Sequence, residues 1–264
     1  MLTELRGKGG NVCQLAKEGK VRCPLIVRPT SEDVITGHLF QTLGIINPRS
    51  WLADMLNLAL GASKFRRQVY RELRIELWKN RPIMPRELLP NPEGSTQVDA
   101  TISWENPPTT IFIEMKYLSD LSRSTASHDP QSGFRSDQLI RNIRVGLWEC
   151  GWLRMKSFFD LPRREFCMIL IGLTKGNPLV EAYRDADHLL RQFPLTRRPA
   201  ALPVEPLIGE LAYSDIAAVL QCKMSAMGRA EQRAVQDLID YLKLKQMQAR
   251  RFEPCTLTQL QLAD

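Results

Sequence analysis

A glutamate and a lysine two positions apart, Glu114 and Lys116, are the residues whose types and spacing most suggest chemistry. They lie in segment 109–118, TTIFIEMKYL, which is short and largely apolar, as a buried strand is. Side chains alternate between the faces of a strand, so the carboxylate and the ammonium share one face. Because burying charge is costly unless it is paired or bound to metal, the pair is either an ion pair at a strand end in solvent or part of a functional site.

Asp99 adds a second carboxylate on the preceding predicted strand, 97–104, which an Asn-Pro-Pro turn joins to the first. Adjacent strands lie about 5 Å apart, so a register that sets Asp99 near Glu114 would bring two carboxylates and Lys116 together. The sequence does not give this register, and the alternative is a strand-end residue in a turn network. Two carboxylates suit Mg²⁺, for which Mn²⁺ can substitute. Metal and Lys116 together would orient and activate a water near a phosphodiester bond.

The elements that must position these residues alternate between helical and extended patterns. A helix is predicted to start at the hydroxyl and acidic residues of 29–33 and to end at Gly44. Another is predicted at 137–153, with Ser136 as its cap and with Arg141 and Arg144 facing outward. Further helices are predicted at 47–61, 178–193, 214–222 and 229–251, and further strands at 69–78 and at 165–174, a continuous apolar run typical of a central strand.

This order of elements predicts a mixed α/β layer, with helices over a small sheet. We divide the chain into a basic N-terminal arm at 1–28, a core at 29–193, a proline-rich linker at 194–206 and a helical section at 207–264 packed on the core. The polar, serine-rich segment 119–136 is predicted to be a mobile loop that gates the site.

Composition and charge describe an ordinary globular chain with a basic surface. The 264 residues are 44% hydrophobic and 25% charged, and the net charge is +7. A basic surface attracts polyanions, chiefly nucleic acid. The sequence has neither a run of about 18 apolar residues nor a secretory leader, which predicts no membrane association. Its six scattered cysteines are typical of reduced thiols in a cytosolic protein.

The ordered set of these residues resembles the PD-(D/E)XK nuclease superfamily. Asp99 is followed, after 14 residues, by the EMK of Glu114 to Lys116. An acid-bearing helix with Glu32 precedes the strands, and a helix with Gln138, in SDQLIRN, follows them. The match covers roughly 30–175, with Val98 where the name-giving proline often stands. It implies a restriction-endonuclease-like core, and the SEDVIT opening of the first helix is similar to that of bacterial defence nucleases.

The resemblance implies a role for each residue of the D…ExK set. Asp99 and Glu114 would ligate Mg²⁺, with the backbone carbonyl of Met115 as a third protein ligand. Lys116 would position or help deprotonate the attacking water and would stabilise the charge that develops on the phosphate.

The two helical residues have implied roles and plainer alternatives. Glu32 would support the metal or a second metal site, but it could serve only the helix dipole, and Asp33 competes for the family position. Gln138 would hold the active site or a nearby phosphate, but polar residues are common in a first helical turn.

These observations together predict a cytoplasmic, Mg²⁺-dependent DNA endonuclease. The resemblance implies products with 5′-phosphates and a role in defence against foreign DNA. Cutting both strands would need two sites, so a homodimer or a component of a larger nuclease complex is expected. The alternatives are a non-catalytic DNA-binding or assembly subunit that keeps the nuclease fold, and an unrelated α/β protein with chance motifs. Candidate contacts to the DNA backbone are the basic arm, Lys64, Arg66, Arg67, Arg197 and Arg198.

Overall fold

The computed structural model describes residues 31–66, 69–81, 89, 95–119, 134–153 and 163–252, which build a five-stranded mixed sheet. Helices flank this sheet, so the predicted mixed α/β class is confirmed. Neighbouring strands in the sheet follow the order of the chain. The strands are β1 (Arg71–Arg81), β2 (Thr96–Glu105), β3 (Thr109–Met115), β4 (Glu165–Gly172) and β5 (Ile208–Ala212).

The sheet is antiparallel on one side and parallel on the other. β1, β2 and β3 form an antiparallel meander, in which Trp104 of β2 pairs with Thr109 of β3 and Ala100 pairs with Ile113. β3, β4 and β5 are parallel to one another. Because parallel strands point the same way, β3, β4 and β5 end at the same edge of the sheet. We call this the carboxyl edge, and the residues that follow these three strands meet there.

The helices begin and end at residues that suit those positions. The side chain of Ser31 caps the first helix by accepting a hydrogen bond from the backbone N–H of Val34 at 3.4 Å. Gly61 ends the second helix with a φ of 64°, a left-handed conformation that glycine adopts without strain. In the described ranges the helices are α1 (Glu32–Ile45), α2 (Leu52–Leu60), α3 (Gln138–Glu149), α4 (Pro178–Arg184), α5 (Ala186–Leu190), α6 (Tyr213–Lys223) and α7 (Arg229–Phe252).

Apolar side chains pack on both faces of the sheet around β3 and β4. On one face, Ile111 and Ile113 pack with residues of α1, α2, α6 and α7. On the other face, Phe112 packs with residues of α3 and meets the edge of Phe166 at a centroid distance of 5.1 Å. All seven residues of β3 are buried, so its charged residue lies where an uncompensated charge would be costly.

The structure differs from the predicted elements at three places. β5 was not predicted, and it adds a strand from the section 207–264 that was expected to be helical. The helix expected at 178–193 is two short helices, α4 and α5, separated at Asp185. The cap of α3 is Asp137 and not Ser136, because the Asp137 carboxylate accepts the N–H of Ile140 at 3.0 Å.

Arg144 also differs from its predicted outward position. It is fully buried on α3, and its guanidinium donates hydrogen bonds to the backbone carbonyl of Gln192. An arginine can be buried when its donors are satisfied in this way, so polarity alone gave the wrong side of the helix.

Several predicted features lie outside the described residues. These are the basic arm at 1–28, Arg67 and most of the predicted gating loop, at 120–133. Among the helices of the described ranges, none has the length and apolar character needed to cross a membrane.

Candidate active site

Glu114 is fully buried on β3, and each of its carboxylate oxygens has a partner. Oε1 lies 3.0 Å from Nζ of Lys116. Oε2 accepts a hydrogen bond from Nδ2 of Asn142 at 3.2 Å, and Asn142 is itself fully buried on α3. The Lys116 side chain is only 15% exposed. These contacts exclude the alternative of an ion pair in solvent at a strand end.

Asp99 lies at the point where β2 and β3 stop pairing. The pairing of the two strands ends with Ala100 opposite Ile113. One residue further, the buried Asp99 carboxylate accepts the backbone N–H of Met115 at 2.9 Å through Oδ2. That N–H belongs to the peptide group that joins Glu114 to Met115. The register that the sequence left open therefore brings Asp99 to the ExK segment.

Lys116 is held at the carboxyl edge by its backbone. Its N–H donates to the carbonyl of Ile171 on β4 at 2.8 Å. Its carbonyl accepts a hydrogen bond from the hydroxyl of Tyr213, the first residue of α6, at 2.9 Å. With both backbone groups bound, the side chain has a fixed origin from which it reaches Glu114.

Glu32, the first residue of α1, reaches the same segment from the other side of the carboxyl edge. Its Oε1 accepts the backbone N–H of Tyr117 at 3.0 Å and the hydroxyl of Ser119. Its Oε2 lies 3.8 Å from Nζ of Lys116. Glu32 therefore does more than complement its own helix dipole, since it contacts the segment that follows β3.

Gln138 is the first residue of α3 and is half-buried. No hydrogen bond joins its side chain to the residues that the structure describes, so the predicted contact with the site stays a prediction. Asn142, one turn later on the same helix, makes the contact with Glu114 instead. Sequence reasoning missed Asn142, although a polar residue flanked by inward-facing apolar residues was an available signal.

Elements beyond the predicted core hold the segment after β3. The Tyr117 hydroxyl donates to the backbone carbonyl of Lys245 on α7 at 2.9 Å. The Lys245 ammonium lies over the Tyr117 ring, 5.6 Å from its centroid, and burial lowers the pKa of Lys245. Burial, followed by the nearby Glu32 carboxylate, raises the pKa of Tyr213 well above its usual range. The Tyr213 hydroxyl therefore keeps its proton and remains a donor to Lys116.

The donor atoms at the carboxyl edge are oxygens of carboxylates and of the backbone. In the described ranges, no group of three or more His, Cys, Asp or Glu side chains is placed to hold a metal ion. Mg²⁺ commonly needs no such group, because it binds through one or two carboxylates, retained waters and substrate phosphates. The oxygens of Asp99, Glu114 and the Met115 carbonyl are hard donors of that kind. The residues present therefore fit Mg²⁺ in type and number.

Lys64, one of the predicted DNA contacts, lies away from the carboxyl edge. Lys64 and Arg66 are exposed and lie between α2 and β1. Burial raises the pKa of Glu165, and Lys64 lies near enough to oppose this shift. Glu165 starts β4 beside Thr109, at the opposite end of β3 from Glu114. The rise along the strand puts Thr109 about 17 Å from Glu114. Arg197 and Arg198 are half-buried in the segment before β5.

Comparison of the chain with protein-family models, with curated proteins and with solved structures gives no match.

Proposed function

We propose that this protein is a Mg²⁺-dependent endonuclease with a restriction-endonuclease-like core, which hydrolyses DNA phosphodiester bonds at the carboxyl edge. The observation that carries the proposal is the joint placement of three residues. The Asp99 carboxylate is bound to the Glu114–Met115 peptide, and the Lys116 ammonium lies 3.0 Å from Glu114. Sequence motifs of this kind occur by chance, and the proposal is supported by the contacts of Asp99 with the ExK backbone and of Lys116 with Glu114.

The two carboxylates would hold the cation. Asp99 and Glu114 would ligate Mg²⁺ together with the Met115 carbonyl. When bound, the ion supplies Lewis-acid polarisation of the phosphate and a lower pKa for a coordinated water. Both carboxylates are buried, which weakens screening by solvent and strengthens their attraction for a divalent cation.

Lys116 would act on the phosphate and on the attacking water. Its ammonium carries three N–H donors, it contacts Glu114 and Glu32, and 15% of the side chain is exposed. There it would donate to a non-bridging phosphate oxygen and stabilise the negative charge that develops in the transition state. Glu32 would keep the ammonium at this edge by opposing its pull toward Glu114.

The net charge of +7 supports a polyanionic substrate, because basic residues bind the phosphate backbone without regard to sequence. A role in defence, products with 5′-phosphates and a dimer or larger complex that cuts both strands follow from the resemblance and belong to the same proposal.

A cleavage assay with a matched lysine control tests the proposal. Supercoiled plasmid, linear duplex DNA and RNA would each be incubated with Mg²⁺, Mn²⁺ or EDTA. We expect metal-dependent DNA cleavage, which Lys116→Ala lowers by about 100-fold or more, in the range seen when a proton-transfer group is removed. Lys79→Ala is the control. Lys79 is an exposed lysine of β1 paired with Glu76, so its substitution removes the same charge away from the site.

The outcomes separate the proposed function from its rivals. DNA that is bound but not cut under any metal would favour a non-catalytic DNA-binding or assembly subunit. Cleavage of RNA but not DNA would change the substrate. Equal loss of activity in the Lys116 and Lys79 variants would contradict a specific role for Lys116.

A further inference from the structure

Asn142 and Thr96 form a hydrogen-bonded chain that ends on Glu114. The Thr96 hydroxyl donates to Oδ1 of Asn142 at 2.6 Å, and Nδ2 of Asn142 donates to Oε2 of Glu114 at 3.2 Å. Thr96 is the first residue of β2, and all three side chains are buried. The chain therefore links β2, α3 and β3 in a place where water does not compete for the same bonds.

The direction of each hydrogen bond in this chain is fixed. Glu114, when ionised, accepts hydrogen bonds only, so the amide nitrogen of Asn142 must face it. The Asn142 oxygen then faces Thr96, whose hydroxyl satisfies it as a donor. Thr96 thus holds the amide in the orientation that Glu114 requires.

Asn142 restrains Glu114 without using up its capacity to bind a cation. An ionised carboxylate offers about four lone-pair sites on two oxygens. Asn142 donates a hydrogen bond to Oε2, and Lys116 forms an ion pair with Oε1. The amide therefore restricts rotation of the carboxylate through a single hydrogen bond to one oxygen.

We infer that Asn142, oriented by Thr96, is a positioning residue that sets the cation affinity of the Glu114 carboxylate. This inference rests on the proposed metal-binding role of Glu114. Partners of this type that lie behind a metal ligand commonly change metal affinity by about 10–100-fold when they are removed. An unoriented Glu114 must lose rotational freedom each time it binds a cation, and the buried amide has already removed that freedom.

Mn²⁺ binding measured by electron paramagnetic resonance, without nucleic acid, tests the inference. Asn142→Leu keeps the approximate size and removes the donor, and we expect its Mn²⁺ dissociation constant to rise by about tenfold or more. Thr96→Val removes only the hydroxyl and should raise the constant by a smaller factor, whereas Thr96→Ser keeps the hydroxyl and should restore wild-type affinity. The comparison of Thr96→Val with Thr96→Ser keeps the test decisive if Asn142→Leu fails to fold.

Asn57→Ala is the control for lost stability. Asn57 makes two hydrogen bonds to the backbone of Phe65, at 2.8 and 2.9 Å, and contacts no residue of the site. This variant should melt at a lower temperature and bind Mn²⁺ as the wild type does.

Three results would overturn the inference: unchanged affinity in Asn142→Leu, equal affinities in Thr96→Val and Thr96→Ser, or an equal loss in Asn57→Ala. Wild-type protein that binds Mn²⁺ but cuts no nucleic acid would overturn the proposed function alone, since the role of Asn142 is decided by affinity. Wild-type protein that binds no Mn²⁺ would overturn both.

Discussion

Removing one hydroxyl, in Tyr213→Phe, tests whether the C-terminal elements position the proposed catalytic lysine. The Tyr213 hydroxyl is the donor to the Lys116 carbonyl at 2.9 Å. Phenylalanine fills the same volume, so no large cavity forms, but a buried carbonyl loses its partner. An unsatisfied buried acceptor costs about 1–3 kcal/mol. For a domain of this size we expect the melting temperature to fall by about 2–12 °C.

The effect on activity should exceed the effect on stability. Lys116 is fixed on one side by Ile171 and on the other by Tyr213, and losing the second bond lets the segment after β3 shift. A displacement of about 1 Å in a positioned group can lower a rate by about 100-fold. We expect DNA cleavage by Tyr213→Phe to lose about 10–100-fold in kcat, with little change in KM for DNA.

Thr109→Val is the matched control for this prediction. The Thr109 hydroxyl also donates to a backbone carbonyl, that of Pro107, at 3.0 Å, and Thr109 is buried at the opposite end of β3. Calorimetry and steady-state kinetics would be compared for both variants. The reasoning is refuted if Tyr213→Phe and Thr109→Val lose equal activity, or if Tyr213→Phe keeps wild-type kcat while its melting temperature falls.

Two further predictions test the fold itself. Gly209→Ala would place a Cβ 2.3 Å from the backbone oxygen of Ala59, so we expect a loss of stability of about 1–3 kcal/mol or more in urea unfolding. Gly228→Ala, where the added Cβ has ordinary contact distances, should change stability little. Equal unfolding midpoints for the two variants would contradict the packing of β5 on α2. Burial raises the pKa of Cys150 to about 12, so its thiol should react slowly with iodoacetamide at about pH 8. Mass spectrometry should find the exposed Cys222 alkylated long before Cys150. Rapid alkylation of Cys150 in the native protein would show that its environment is open to solvent.

The strands of the site were predictable from local pattern. The apolar runs at 109–118 and 165–174 gave β3 and β4 because buried central strands need apolar residues on both faces. The register of Asp99 was not predictable, since it depends on the turn and on the contact with the Met115 N–H. The sequence could suggest two carboxylates and a lysine, but only the hairpin brings Asp99 to the backbone of the ExK segment.

The features that the sequence did not predict depend on contacts between residues that are distant along the chain. β5 is short, includes Gly209 and follows a proline-rich segment, so its local sequence is a weak strand signal, and pairing with β4 establishes it. Ser136 and Asp137 are both good caps, and the additional hydrogen bond from the Tyr183 hydroxyl favours Asp137. Arg144 is buried because Gln192, distant in sequence, supplies its acceptor.

The buried charge at the carboxyl edge is difficult to explain by stability alone. Glu114 is fully buried, and its pairing with Lys116 must offset the cost of desolvating both groups. Replacing a buried ion pair by well-packed apolar residues is often neutral or stabilising. Asn142 and Asp99 satisfy buried polar groups once the charge is present, but fold stability does not explain why a charge is placed there. The proposed cation site would explain it, because such a site needs ionisable groups for its chemistry.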